Sequence, residues 1–555
     1  MKRSLVLSAM LAHAADACGG FFCDQVPVDQ SGENVLFASE NGVVTAHVQI
    51  QYVGPAEDFA WVVPLPALPT VTLGVQEVFT QLLNRTQPRF VTNFQFDPEC
   101  READFGGEGE AEAEAEAEAA SDAAASDGGS GVEIYFRGAV GPYDAAVLSA
   151  DDPDALRTWL ADNNYDLPPQ ADPLIDAYVE AGDYFVALKL LKEQDTGDLV
   201  PIVLQFAHDR PCVPIRLTAI AATPDMPVRL WVLGDARAIP TNYRHVLVDQ
   251  AKIDWLSFGA NYTQVVSEAA DEAGSRAFVT EYAGTSALMA EALDWKGRFN
   301  LPYLATLSCA VDFIYGVQGQ FPADQTLLDV LTQHVPPPPG VDPNSFYGCP
   351  DCFTDCASYP FAFDPVAATD ALSTRIVEPL RQAQALFDAN PVMTRLFTLL
   401  SPEEMVLDPM FGFNSDLPEV ALLHEANLYE ECPDGRHYFR IVLEDGREIL
   451  VHPDDVLGGA GEDAPTLAEL RQSLPGSERA EDLYEDQAAD RVYDNGPMIE
   501  ALISAHNRQV LESAPAARPA GADPLGCSCA LGEAAGAFPV ALLALLALAL
   551  LRPRR

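Results

Sequence analysis

The chain has 555 residues, with 83 Asp and Glu against 32 Lys and Arg, for a formal net charge of −51. That charge repels phosphate backbones and anionic lipid, which excludes nucleic acid as a partner in this reading. A hydrophobic content of 48% over this length supports two or three folded units with cores of their own.

The N-terminus reads Met1-Lys2-Arg3, then an apolar stretch over residues 5–15, then Ala15-Asp16-Ala17 before Cys18. A cationic start, a short apolar run and small residues at the cut make a signal peptide over residues 1–17, cleaved after Ala17. Val44, Ala46, Val48, Ile50 and Tyr52 alternate with Thr45, His47, Gln49 and Gln51, which predicts a half-buried strand with His47 on its solvated face. A second strand is expected at 59–65 and a helix at 75–83, so residues 18–105 form a β-rich N-terminal part. In residues 106–131 six glutamates from Glu108 to Glu118 alternate mainly with alanine. Like charges repel there and nothing can pack, so the reading is a solvated acidic insert.

Residues 132–335 continue as a mixed region. Strands are expected at 132–136, 143–148, 184–191, 199–206, 213–221, 228–233 and 277–282. Helices are expected at 153–163, with Asp152 as N-cap, at 173–181 and at 326–333. Pro336 to Pro339 make a stiff break. Residues 336–452 then carry a cysteine-dense loop, a mostly helical stretch at 367–400, and a hairpin of 438–443 with 448–451 around Asp445-Gly446. Residues 453–525 are polar and acidic with one amphipathic helix near 498–511, and read as a stalk. Residues 526–555 hold Gly526-Cys527-Ser528-Cys529, an apolar run at 534–551 long enough to span a bilayer, and four terminal residues of which three are arginine. Those arginines should stay cytoplasmic, leaving the body on the far side. The order of elements lacks a regular strand–helix alternation, so the fold class is α+β: a strand-rich, disulfide-braced body with several helices plus one C-terminal membrane helix.

Eleven cysteines occur, and nine remain in the body once Cys527 and Cys529 go to the tail. In an oxidising compartment most should pair. Cys18 and Cys23 are close enough for a local disulfide, and Ala15-Asp16-Ala17 lacks the large apolar residue usual three before a lipidated cysteine. Cys349, Cys352 and Cys356 are read as disulfide partners. A zinc site needs a fourth ligand and no histidine lies at the right spacing; a redox CxxC normally opens a helix after a strand rather than following a proline-rich break.

Two resemblances rest on these phrases. The Cys pair, apolar run and terminal arginines resemble the myxobacterial C-terminal sorting tail, MYXO-CTERM, which implies delivery to the cell surface with processing near Cys527. The phrases Cys18-Gly19-Gly20-Phe21-Phe22-Cys23, Asn34-Val35-Leu36-Phe37-Ala38, Phe59-Ala60-Trp61-Val62-Val63-Pro64, Val140-Gly141-Pro142-Tyr143-Asp144 and Met405-Val406-Leu407-Asp408-Pro409-Met410-Phe411 resemble the bacterial family catalogued as domain of unknown function 2330. That resemblance runs from Cys18 to about His452 apart from the insert. It implies an exported protein and supplies no catalytic residue.

The chemical motifs fail one by one. Residues 162–173 begin like a calcium loop but carry Leu167 and Pro173 where glycine and glutamate belong. Gly284-Thr285-Ser286 lacks the closing glycine of a nucleophile elbow, and His424-Glu425 has no second histidine and reads as a surface pair. No catalytic, cofactor or metal residue is assigned and no cofactor is expected. The expectation is an exported, surface-anchored structural or binding protein. Its partners are the membrane through its tail, the export and sorting machinery, and an extracellular protein or glycan ligand. The alternative is an extracellular hydrolase or metal-dependent enzyme whose site is assembled from residues distant in sequence.

Overall fold

The β-branched and aromatic runs strung along the sequence form twenty strands in the structure, a computed structural model that describes residues 29–53, 59–97, 100, 131–165, 168–191, 199–293, 297–458 and 464–515. The expected signal peptide with Ala17, the Cys18–Cys23 pair, residues 106–130 of the insert, and the tail with Cys527 and its apolar run lie outside the described residues. Among the described residues no helix is long and apolar enough to cross a membrane.

In chain order the strands are β1 (Asp29–Glu40), β2 (Val43–Val53), β3 (Ala60–Leu65), β4 (Thr70–Leu73), β5 (Arg89–Gln95), β6 (Val132–Val140), β7 (Tyr143–Ala150), β8 (Tyr184–Leu190), β9 (Ile202–Ala207), β10 (Met226–Gly234), β11 (Arg237–Pro240), β12 (Arg244–Val248), β13 (Ala277–Thr285), β14 (Val392–Leu400), β15 (Phe411–Asn414), β16 (Leu423–Glu431), β17 (Tyr438–Val442), β18 (Glu448–Val451), β19 (Ser477–Asp482) and β20 (Asp490–Asp494). Ten of them make one sheet, in the order β20-β19-β12-β13-β14-β10-β1-β2-β9-β4. Two four-stranded sheets, β3-β8-β7-β6 and β18-β17-β16-β5, and the pair β11-β15 complete the set. Parallel pairs (β1 with β10, β12 with β13, β5 with β16) mix with antiparallel ones. The α+β class is what the structure has.

Burial explains the layering. One face of the large sheet packs on the sheet β3-β8-β7-β6 through Phe37, Val44, Trp61, Val147, Leu188 and Leu230. The far side of that smaller sheet is closed by the helices Pro153–Asp162 and Asp172–Ala181. The other face of the large sheet carries α1 (Gln76–Thr86) and a helical lobe running from Ala287–Ala292 to Glu378–Ala389. Helix, sheet, sheet and helix thus stack as four layers, each apolar face finding a partner.

This layering overturns several expectations. Strand β2 is covered on both faces, so His47 is buried, at 4% exposure, rather than solvated. Residues 213–221 form a short helix, Ile215–Thr218, because Pro214 cannot donate to a ladder and the Asp408 carboxylate accepts the Arg216 N–H at 3.0 Å. The stretch 367–400 is helical only to Ala389; after Pro391 it turns into β14, whose apolar run fills a central strand covered on both faces. Asp152 occupies the N-cap position without a side-chain cap bond.

Residues 464–515 are no stalk. Leu467, Leu470 and Leu474 share one helical face and bury against Ile499 and Ile503 of the helix Gly496–Ser513, while β19 pairs with β12 at the edge of the large sheet. The acidic residues that dominate the composition of this stretch sit mostly on its outer side, which is why composition concealed its core.

Among the described residues three disulfides brace the body: Cys100–Cys432, Cys309–Cys356 and Cys349–Cys352, with Cα separations of 5.9, 5.1 and 5.4 Å. The first joins Cys100, beyond β5, to Cys432, directly after β16, across 332 residues. Cys212 is the free cysteine among the described residues.

Candidate functional site

α1 places Val78, Phe79 and Leu82 on one face toward the large sheet. It stops at Thr86 because Pro88 disfavours helical backbone at Gln87, which is extended at φ −70°, ψ 131°. The chain reverses into β5, and the Arg89 N–H donates to the Leu422 carbonyl at 2.7 Å. Arg85 and Arg89 therefore stand on the two arms of one reversal, both exposed.

Thr86 pins that reversal to the sheet. Fully buried, it donates to the Leu82 carbonyl at 2.6 Å and accepts from Trp231 Nε1 at 2.9 Å and Arg395 Nη1 at 3.1 Å. Arg395 lies over the Trp231 ring and its Nε is 2.5 Å from Glu281 Oε2, an ion contact rather than an aligned hydrogen bond. The pair is almost fully buried, at 4% and 2% side-chain exposure. A bulge in β13 aims the acid: Thr280 opposes Leu396 and Tyr282 opposes Arg395, leaving Glu281 as the extra residue beside Arg395. Tyr262 hydrogen-bonds Glu281, and burial, with that carboxylate next in weight, raises its phenol well above the ordinary range.

Above this network opens a groove of about 940 Å³. Its walls include Asn84, Arg85, Gln87, Arg89 and Phe258, and none of the residues lining it is Asp, Glu or His. Neither arginine pairs with a carboxylate among the described residues; the Arg85 Nε donates to Gln81 at 3.2 Å. Phe90 anchors the wall from below, stacked on His424 at 5.0 Å and edge-on to Trp255 at 5.6 Å.

Phe258 is the unusual member. It is 59% exposed and holds left-handed backbone at φ 52°, ψ 40°, a conformation that costs an L-residue about 1–2 kcal/mol. Gly259 follows at φ 77°, where a Cβ would collide with the Phe90 ring. The surrounding loop enforces the strain: the Gly259 N–H donates to the Asp254 carbonyl at 2.8 Å, Asn261 accepts from the Asp254 N–H at 2.7 Å, and Arg471 holds the Asp254 carboxylate at 3.2 Å.

The residues singled out in the sequence lie elsewhere. Cys349 bridges to Cys352, and Cys356 bridges to Cys309. The cysteine groupings spaced for a metal, with Asp312, Asp351 or His437 nearby, are all built from bridged sulfurs, which offer no thiolate. Ser286 is buried and donates to the Phe387 and Asn390 carbonyls, a structural role. Of the expected surface pair, Glu425 is exposed, whereas His424 is half-buried and stacked on Phe90, with its pKa lowered chiefly by burial. Residues 162–165 are a helix end whose Asn163 and Asn164 carbonyls accept from Lys189. Asp408, in the Met405–Phe411 phrase, accepts from the Tyr178 hydroxyl at 2.6 Å and joins the helix Asp172–Ala181 to the helix at 215. Cys212 lies close by, its thiol pushed up to about 12 by burial and then by Asp408 and Asp183.

The arginines and Phe258 were missed by sequence reasoning. One signal was present: residues 78–96 hold two arginines and no acid in a strongly acidic chain. The left-handed Phe258 leaves no such trace.

No curated protein and no solved structure matches the chain. The profile of one bacterial family matches residues 12–331, a span that ends before the Met405–Phe411 phrase and contains all of the groove lining except Leu422. With more than half of its length matched, the chain belongs to the family described as "Uncharacterized protein conserved in bacteria (DUF2330)".

Proposed function

We propose that this chain is an exported, surface-anchored binding protein that takes its ligand in the groove between α1, β5 and Phe258. The observation that carries the binding reading is the groove lining: two guanidinium groups that pair with no carboxylate among the described residues, side-chain amides and an exposed aromatic ring, in a chain of net charge −51. Such a lining holds an anionic ligand and offers no group for proton transfer, which favours binding over hydrolysis at this place. Export is supported by the three disulfides, since bridges of this kind persist outside a reducing cytosol. It is supported as well by the signal-like first 17 residues and by the tail resembling MYXO-CTERM, with cleavage after Ala17 and processing at Cys527.

Mass spectrometry of protein taken from the cell surface, with and without reduction, tests the location. A chain starting at Cys18 and ending near Cys527, with Cys100–Cys432, Cys309–Cys356 and Cys349–Cys352 bridged, is the expected result. An intact N-terminus with free thiols at those six positions refutes export. For the groove, the full chain should sediment with extracellular polymer from its own cells, and the Arg85→Ala/Arg89→Ala variant should remain in solution with an unchanged circular dichroism spectrum.

A further inference from the structure

Resting on the reading of the groove as the binding site, we infer that its ligand is an acidic saccharide, a uronate-bearing polymer segment, held by Arg85 and Arg89 at carboxylate groups and by Phe258 against a sugar face. The argument starts from the strain. A bulky aromatic in left-handed backbone, more than half exposed beside a cavity and fixed there by hydrogen bonds on both sides, gains nothing from burial. Strain of this sort is kept where the side chain is used. The flat face of its ring is apolar with a negative quadrupole, the surface that the C–H bonds on one face of a pyranose ring fit.

The two guanidinium groups set the charge. Each offers a planar fork of donors that matches a carboxylate, and among the described residues neither pairs with an acid. Asn84 and Gln87, between and beside them, present amide donors and acceptors suited to hydroxyl groups. A peptide would instead be read by backbone hydrogen bonds along a sheet edge; the lining residues Asn84, Arg85, Gln87 and Arg89 carry polar side chains, which favours the sugar. The loop that carries Phe258 and the reversal that carries the arginines are both tied to the body by hydrogen bonds, so little ordering opposes binding.

The test is titration calorimetry of the full chain with oligogalacturonate, with neutral dextran oligomers and poly-glutamate as comparisons. Oligogalacturonate should bind, weaken with added salt, and lose about tenfold in affinity for each arginine removed. Phe258→Asn, which tolerates left-handed backbone, should lose affinity while the melting temperature stays at or above that of the parent. Poly-glutamate binding as tightly as the uronate, with the same sensitivity to Arg85→Ala and Arg89→Ala, overturns the saccharide and keeps the groove. Uronate binding that ignores all three substitutions overturns the groove itself. Dextran binding equal to the uronate, or no binding of the uronate, overturns the ligand class; the sedimentation experiment then decides the groove separately.

Discussion

Glu33 gives the most direct physical test of the fold. It sits on β1, in the interior of the ten-stranded sheet, at 5% exposure. Burial pushes its carboxyl from the ordinary 4.5 up to about 7, partly offset by the Gln30 amide at 3.4 Å and reinforced by the charge of Asp408. Below pH 4.5 the group is protonated in both folded and unfolded chains and has no effect. Between 4.5 and 7 the folded chain keeps a proton that the unfolded chain has released, so stability falls as pH rises. Above 7 the full penalty stands, about 3 kcal/mol at 1.36 kcal/mol per pH unit. Glu33→Gln removes it. Urea unfolding of the parent and the variant at intervals from pH 4 to pH 9 should therefore give a difference that is small at the acid end and grows in the variant's favour by about 3 kcal/mol to a plateau above pH 7. His47 and His245, whose burial depresses them to about 4 and about 3, contribute oppositely between those values and 6.5, losing stability as pH falls. They are common to both chains and cancel in the difference. A flat difference curve, or one that favours the parent at pH 8, refutes the account of Glu33 as a buried acid held neutral.

Three further outcomes follow from the same structure. Arg395→Met leaves Glu281 as an unpaired buried carboxylate and should cost about 3–5 kcal/mol in urea unfolding, whereas Arg395→Met with Glu281→Leu should recover most of it; equal losses would contradict the pair. Removing the Cys309–Cys356 bridge by a double alanine substitution frees a loop of 47 residues and should lower stability by about 4 kcal/mol on the chain-entropy estimate, read as a shift in the urea midpoint. The Cys212 peptide should stay unlabelled by iodoacetamide at pH 8 in the native chain and label fully in urea, because its thiol is pushed up to about 12. Rapid native labelling would show that the site is open.

What the sequence disclosed and what it withheld divide along a physical line. Period-two alternation and apolar runs located β2, β3, β7, β8, β10 and the hairpin of β17 and β18, because local pattern determines whether a segment can lie in a sheet. The same patterns carry no information about what covers the other face. Thus the polar side of β2 looked solvated, yet the fold buries His47. Residues 392–400 followed a helical stretch with no turn signal stronger than Pro391, and only their position between β13 and β10 made them a strand. In 464–515 the average charge masked a regular spacing of leucines. The groove was less legible still. It joins residues 85 and 89 to residue 258, and a contact between points so far apart leaves no periodicity to read.

The buried Glu281–Arg395 pair bears on why the groove keeps its shape. Ion pairs in a sheet interior are seldom more stable than well-packed apolar residues of the same volume, so net stability is a poor reason for this one. Its geometry suggests another. Arg395 has a donor left for Thr86, and Thr86 is the last residue of α1, adjacent to the reversal that presents Arg85 and Arg89. Glu281 reaches the pair only through a bulge in β13 and is hydrogen-bonded by Tyr262, which packs against Phe90 at 5.1 Å beneath the same groove. A misplaced α1 would leave the Trp231 indole and the Arg395 guanidinium each short of a partner in a buried setting, a penalty of about 1–3 kcal/mol for each unsatisfied group. An apolar replacement would tolerate small displacements of the helix at little cost. The polar network fixes the end of α1 to one position on the sheet, and with it the spacing of the two arginines from Phe258 that the inferred ligand requires.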